Sequence, residues 1–203
     1  MTGHRSTGWQ GWGVSLRILF VCTGNICRSP MAERMLQARL EQAGSAPITV
    51  SSAGTRAVVG HPMDALAARV LREHGGEADG HRGRQLTAEL VRAADLVLTA
   101  DSTHRSRVVR EVPLAMRRTF TLREFTRLGA GLDPTRPTPA GNRLRRRVAE
   151  VAAQRGETPP AEPGGDDIGD PFGAPLPVMQ ECGTQIAQVI DQICGILGVG
   201  QDR

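Results

Sequence analysis

Ile18-Leu19-Phe20-Val21-Cys22-Thr23-Gly24-Asn25-Ile26-Cys27-Arg28-Ser29-Pro30 is the stretch on which the reading of this 203-residue chain turns. Its first five residues form a continuous apolar run, the pattern of a strand buried on both faces. Pro30 suits the first turn of a helix. Met31, Met35 and Leu36 then recur at helical spacing until Gly44. Strand and helix are joined by a five-residue loop enclosed between Cys22 and Arg28. A loop of that size can turn its backbone N–H groups inward as an anion cradle. The helix start adds the positive end of its dipole and its own unpaired N–H groups. Gly24 and Asn25 are residue types that tolerate the left-handed backbone a tight cradle needs. Arg28 supplies a planar fork matched to two phosphate oxygens. Cysteines beside helix N-termini and cations are the reactive kind. The stretch therefore presents Cys22 as a nucleophile toward a bound tetrahedral oxyanion.

Working outward, Ile48–Ala53 reads as a second strand with Gly54 as its turn. Pro62 is expected to start a helix carrying Leu66, Val70 and Leu71, closed by Gly75-Gly76. Leu96–Leu98 reads as a third strand, and Ser102 as the cap of a helix through Val108 and Val109. Thr119–Leu122 is a weaker fourth strand, and Leu176–Leu197 a final apolar helix that should dock on the sheet. Strands alternating with helices predict an α/β fold: a single open, mostly parallel four-stranded sheet with helices on both faces. Right-handed crossovers place all strand C-termini on one edge, where open sheets bind ligands. Cys22 falls on that edge.

Residues 1–13, polar around Trp9 and Trp12, are expected to be a disordered N-terminal tail. The domain is expected over 14–200. Within it, the composition shifts over about 128–169 to a Pro-, Gly- and Arg-rich insertion punctuated by Pro134, Pro137, Pro139, Pro159, Pro160 and Pro163. Asn142 is expected to cap one helix there, running to Arg155 with Leu144, Val148 and Val151 on one face. The run Arg145-Arg146-Arg147 reads as a solvated face.

Composition excludes several chemistries. All 25 basic residues are Arg, so there is no Walker-type phosphate lysine and no Schiff-base lysine. Aromatic residues make up 3 % with no Tyr, too few to interleave with the basic residues as a nucleic-acid stacking platform. The four cysteines, Cys22, Cys27, Cys182 and Cys194, match neither a CxxC pair nor a zinc framework. No apolar run is long enough to cross a bilayer, so neither a nucleic-acid nor a membrane partner is expected. The cytoplasm is the expected compartment. Cys182 and Cys194, spaced ~18 Å apart if on one helix, are expected to be core residues unable to bond to each other. His61, His74, His81 and His104 share no metal spacing and read as surface or capping residues; Asp101 and His104 read as structural.

With these residues in view, the chain resembles the bacterial branch of the low-molecular-weight protein tyrosine phosphatases. The carrying motif is Cys22-x5-Arg28-Ser29, continued by Pro30-Met31-Ala32-Glu33. Further matches follow in order at Ser52-Ala53-Gly54-Thr55, His81-Arg82-Gly83-Arg84-Gln85-Leu86, Asp95-Leu96-Val97-Leu98-Thr99 and Asp170-Pro171-Phe172. The resemblance implies that Cys22 attacks phosphorus and becomes a phosphocysteine. Arg28 and the amides of Thr23, Gly24, Asn25, Ile26, Cys27 and Ser29 would hold the phosphoryl oxygens. Ser29 would help Cys22 leave, Asn25 would keep the loop in shape, and Ser52 would hold Asn25. Asp170 would protonate the leaving group, with Ile26 and Phe172 as walls for a substrate ring. No cofactor or metal is implied, because Arg28 and the amides supply the positive field. The implied partner is a phosphotyrosine-containing protein, with a bacterial tyrosine kinase as one candidate.

Asp133-Pro134 repeats the dipeptide at Asp170-Pro171, but Asp170 is preferred because Phe172 follows it and Asp133 lies in the insertion. Under peroxide, a Cys22–Cys27 disulfide would guard the nucleophile against irreversible oxidation. Three other functions share the cradle. Arsenate reduction normally needs resolving cysteines, and none lies between Cys27 and Cys182. Hydrolysis of phosphoarginine fits relatives with a small Thr where Ile26 stands. A phosphoprotein-binding module with little turnover would not need Cys22, Arg28 and Asp170 together.

Overall fold

A computed structural model describes residues 15–44, 47–133, 143–159 and 161–200. The expected tail at 1–13 and the capping role of Asn142 lie outside these residues. The sheet contains β1 (Leu16–Cys22), β2 (Ile48–Gly54), β3 (Leu96–Thr99) and β4 (Thr119–Thr121), in the order β2-β1-β3-β4. All three pairings are parallel, with Cys22 level with Gly54 and Val21 with Thr99. The central strand β1 is buried along almost its whole length, as its unbroken apolar run requires.

On one face pack α1 (Arg28–Gln42), α2 (Ala65–Glu73), α5 (Leu122–Gly129) and α7 (Leu176–Leu197); on the other lie α3 (Ala88–Ala93) and α4 (Ser102–Glu111). Helix α7 has the predicted bounds. Its Ile186, Ile190 and Ile193 are fully buried with Met31, Met35 and Leu36 of α1. Truncating one such isoleucine to Ala typically costs about 2–5 kcal/mol. With so few aromatics, ring packing among the described residues is confined to Phe120 against the edge of Phe125, centroids 5.3 Å apart.

Several expectations are corrected. Helix α2 starts at Ala65 rather than Pro62, because the Asp64 side chain accepts the backbone N–H groups of Leu66 and Ala67. Asp101, not Ser102, caps α4 by accepting from His104 N–H at 2.9 Å. Helices α3 and α5 were not foreseen. The second starts in a capping box, with Thr121 and Glu124 each accepting the other's backbone N–H.

The Arg run is a solvated face only in part: Arg146 is exposed and Arg145 half-buried, but Arg147 turns inward. It lies on α6 (Arg143–Ala153), where Arg147 is among the largest fully buried side chains and pairs with Glu150 at 3.1 Å. Arg145 reaches Asp95 at 3.1 Å. Val148 and Val151 of α6 are buried in the main core. Beyond α6, Arg155 lies over the Phe120 ring at 4.0 Å and donates to the Thr119 carbonyl.

Candidate active site

The loop after β1 has its carbonyls fastened outward. Those of Cys22, Thr23 and Gly24 accept the N–H groups of Thr55, Arg56 and Val58, at 2.9–3.0 Å. The Asn25 carbonyl accepts from His81 Nε2 at 2.8 Å, Ile26 from Asp64 N–H, and Cys27 from Met31 N–H. With the carbonyls turned out, the trans peptide planes turn their N–H groups the other way, and Asn25 N–H points at Cys22 Sγ at 3.3 Å. Gly54 permits this approach: a Cβ there would lie 2.4 Å from the Thr23 carbonyl oxygen. Asn25 has φ of 56°, the only non-glycine with positive φ among the described residues.

Asn25 is the keystone of the loop. It is fully buried, accepts Arg84 N–H at 2.9 Å through Oδ1, and donates through Nδ2 to Ser29 Oγ at 2.9 Å and Ser52 Oγ at 2.8 Å. The contact with Arg84 fixes which end of the amide is oxygen. The Ser52 hydroxyl donates in turn to the Glu33 carboxylate. Ser29 Oγ, already accepting from Asn25, has one proton left, and its remaining neighbour is Cys22 Sγ at 2.9 Å. The hydroxyl therefore donates to the sulfur.

Arg28 is 3 % exposed. Its NH1 is anchored to Asp101 Oδ2 at 3.2 Å and to the Ile168 carbonyl at 3.0 Å. That leaves the Nε/NH2 edge, the edge that grips an oxyanion in two places. NH2 meets Asp170 Oδ2 at 3.1 Å. Nε is buried with no partner among the described residues. Of the two Asp-Pro carboxylates, Asp170 is thus the one at the cradle; Asp133 lies exposed beyond α5. Ile26 is half-buried and Phe172 is 63 % exposed. Val58, which sequence reasoning missed, stands across Gly24 from Ile26.

His81, expected as a surface or capping residue, is a buried support, and His104 is the structural residue expected. His81 holds the Asn25 carbonyl, and His104 joins Thr23 Oγ1 at 2.8 Å to Asp101 Oδ1 at 2.8 Å. The only signal for them in the sequence was their place next to matched segments. Burial alone would raise the Asp101 carboxyl, but hydrogen bonds and charge from His104, with Arg28 beyond, outweigh it and hold Asp101 at about 2. Cys22 and Cys27 are free thiols. Burial, then the Asp64 carboxylate, push the Cys27 thiol far up, so it stays protonated. Burial likewise lifts Cys182 to about 12 and Cys194 to about 11, as expected of packing residues. Among the described residues no three His, Cys, Asp or Glu side chains gather as a metal site would require, and no helix is long and apolar enough to cross a membrane.

Residues 17–156 match the family described as low molecular weight phosphotyrosine protein phosphatase. The chain belongs to that family. Among the low molecular weight phosphatases it is 43 % identical over 119 residues to Etp of Escherichia coli K12, covering 59 % of this chain and 77 % of that one. It is 34 % identical over 177 residues to a protein-arginine-phosphatase of Geobacillus stearothermophilus, covering 87 % and 93 %. A crystal structure of a low molecular weight protein tyrosine phosphatase from T. tengcongensis superposes with a TM-score of 0.65 at 32 % identity, covering 88 % of this chain and 97 % of that one. The four-stranded parallel sheet with helices on both faces is the arrangement these low molecular weight phosphatases share, and its members are cysteine-dependent hydrolases.

Proposed function

We propose that this protein hydrolyses phosphotyrosine on proteins through a phosphocysteine on Cys22. The observation that carries the reading is the placement of Cys22 Sγ under the Asn25 amide and 2.9 Å from the Ser29 hydroxyl, with Arg28 and Asp170 joined beside it. In the first step Cys22 attacks phosphorus in line with the tyrosyl oxygen. Charge on the equatorial oxygens is met by the loop amides and the free edge of Arg28, aimed before the reaction begins. Asp170 protonates the departing phenolate. In the second step Asp170 takes a proton from the water that attacks phosphocysteine. The Ser29 hydroxyl stabilises the sulfur as it leaves. The low-lying Asp101 carboxylate keeps Arg28 aimed throughout.

Ile26 and Val58 offer an apolar rim that suits a phenyl ring better than a guanidinium. The relative named for phosphoarginine makes that substrate the second reading. The test is para-nitrophenyl phosphate turnover without added metal, followed by matched phosphotyrosine and phosphoarginine peptides. Phosphotyrosine should be the better substrate by kcat/KM, and Cys22→Ser should abolish hydrolysis while still binding phosphate. Hydrolysis retained by Cys22→Ser would remove the proposed nucleophile, and faster phosphoarginine turnover would exchange the two readings.

A further inference from the structure

Next to the cradle, and sharing with it only Thr23, lies a cleft of about 380 Å³ between the end of β2 and α4. Thr23, the first residue of the cradle loop, and His104 form its base and connect it to the catalytic centre. Arg56 stands on one side, held in place by the bond from its backbone N–H to the Thr23 carbonyl at 3.0 Å. Arg107 and Arg110 stand on the other, three residues apart on one face of α4. Thr55, Thr103 and Ser106 complete the lining. No carboxylate and no apolar side chain lines this cleft.

The cations are also unspent. Arg56 and Arg110 make no ion pair or side-chain hydrogen bond with any described residue, and Arg107 approaches Glu111 only at 3.9 Å. Three arginines that line other grooves are engaged: Arg145 with Asp95, Arg127 with Asp166, Arg155 with Glu124. Three like charges around one recess repel one another, and every polar group facing it can donate a hydrogen bond. An anionic group of side-chain size would relieve both. A substrate held by its phosphate at Cys22 delivers its neighbouring residues to this position.

We infer that the cleft between Arg56, Arg107 and Arg110 receives an acidic side chain flanking the phosphorylated residue of the substrate protein. This rests on the phosphotyrosine reading above and narrows it to substrates with acidic surroundings. Exposed pairs of this kind select partners and speed encounter more than they add affinity.

The experiment compares wild type with Arg56→Ala/Arg107→Ala/Arg110→Ala on para-nitrophenyl phosphate and on phosphotyrosine peptides differing only in Glu, Ala or Lys flanks. For wild type, kcat/KM on the Glu-flanked peptide should exceed that on the Ala-flanked one by about 10-fold, the scale of two or three exposed ion pairs. The difference should sit in KM, shrink as salt is added, and widen against the Lys-flanked peptide. The triple variant should treat all three peptides alike while turning over para-nitrophenyl phosphate at the wild-type rate. Equal turnover of the peptides by wild type, or a preference that survives in the triple variant, overturns this inference and leaves the phosphatase reading intact. Failure of wild type to hydrolyse para-nitrophenyl phosphate overturns that reading, and the inference with it.

Discussion

From Cys22 to Cys27 every backbone carbonyl has a partner, most of them distant in sequence. From Gly169 to Gly173 the backbone hydrogen bonds among the described residues are local ones, such as Phe172 N–H to Asp170 Oδ1 at 3.4 Å. The last long-range backbone anchor before the acid is Ile168, whose N–H meets the Ala100 carbonyl and whose own carbonyl holds Arg28. Beyond it, only the Asp170 side chain returns to the site, and that residue is 53 % exposed. The contrast follows from what each half has to do. Amides that stabilise developing charge act through fixed aim, because reorienting them during the reaction would consume the gain. A proton donor needs only to reach the leaving oxygen.

The comparison can be broken from either side. The largest effect is expected for Asp170→Ala, which should slow poor leaving groups such as phenyl phosphate by ~10²–10⁴-fold. Good leaving groups should suffer much less. If Asp133→Ala gives that pattern instead, the acid has been assigned to the wrong segment. Asn25→Ala removes the bonds to Ser29, Ser52 and Arg84 together. It should lower turnover of all leaving groups alike by ~10²-fold, the value of one misaimed oxyanion donor. A dependence on leaving group in this variant would show that the cradle does not act independently of the acid.

The smallest effect concerns pH. Asp101 is held at about 2 in the folded protein, below its ordinary value near ~3.9 in an unfolded chain. A depressed carboxyl stabilises the fold above its unfolded value and loses that contribution as pH falls through the folded one. Asp101→Asn should therefore cost about 1–2 kcal/mol at pH 7, measured by denaturant unfolding. The gap from wild type should close between about pH 4 and 2. A gap unchanged at pH 2 would mean that Asp101 acts through shape rather than charge.

What could be read from the sequence was whatever depends on neighbours along the chain. The strand, cradle and helix over Ile18–Leu36 were legible because the apolar run, Gly24-Asn25 and Pro30 all act locally. Helix α7 was legible to its ends because its apolar spacing continues unbroken to Leu197. The Thr121/Glu124 capping box was equally readable and was overlooked. His81, Arg84 and Glu33 were not readable as supports of Asn25 and Ser52. Their roles arise from contacts between segments 19 to 59 residues apart, which no local pattern encodes. Arg147 was misjudged for the same reason: a triple-arginine run resembles a wet surface until one member is found turned into the core.

The edge of Arg28 that faces the loop ties the enzyme's durability to its own product. Orthophosphate seated there would accept from that edge, and it would bind the folded protein alone. Ligand linkage then makes the inhibited form the sturdiest one. The same binding constant that sets competitive inhibition by phosphate also sets resistance to heat.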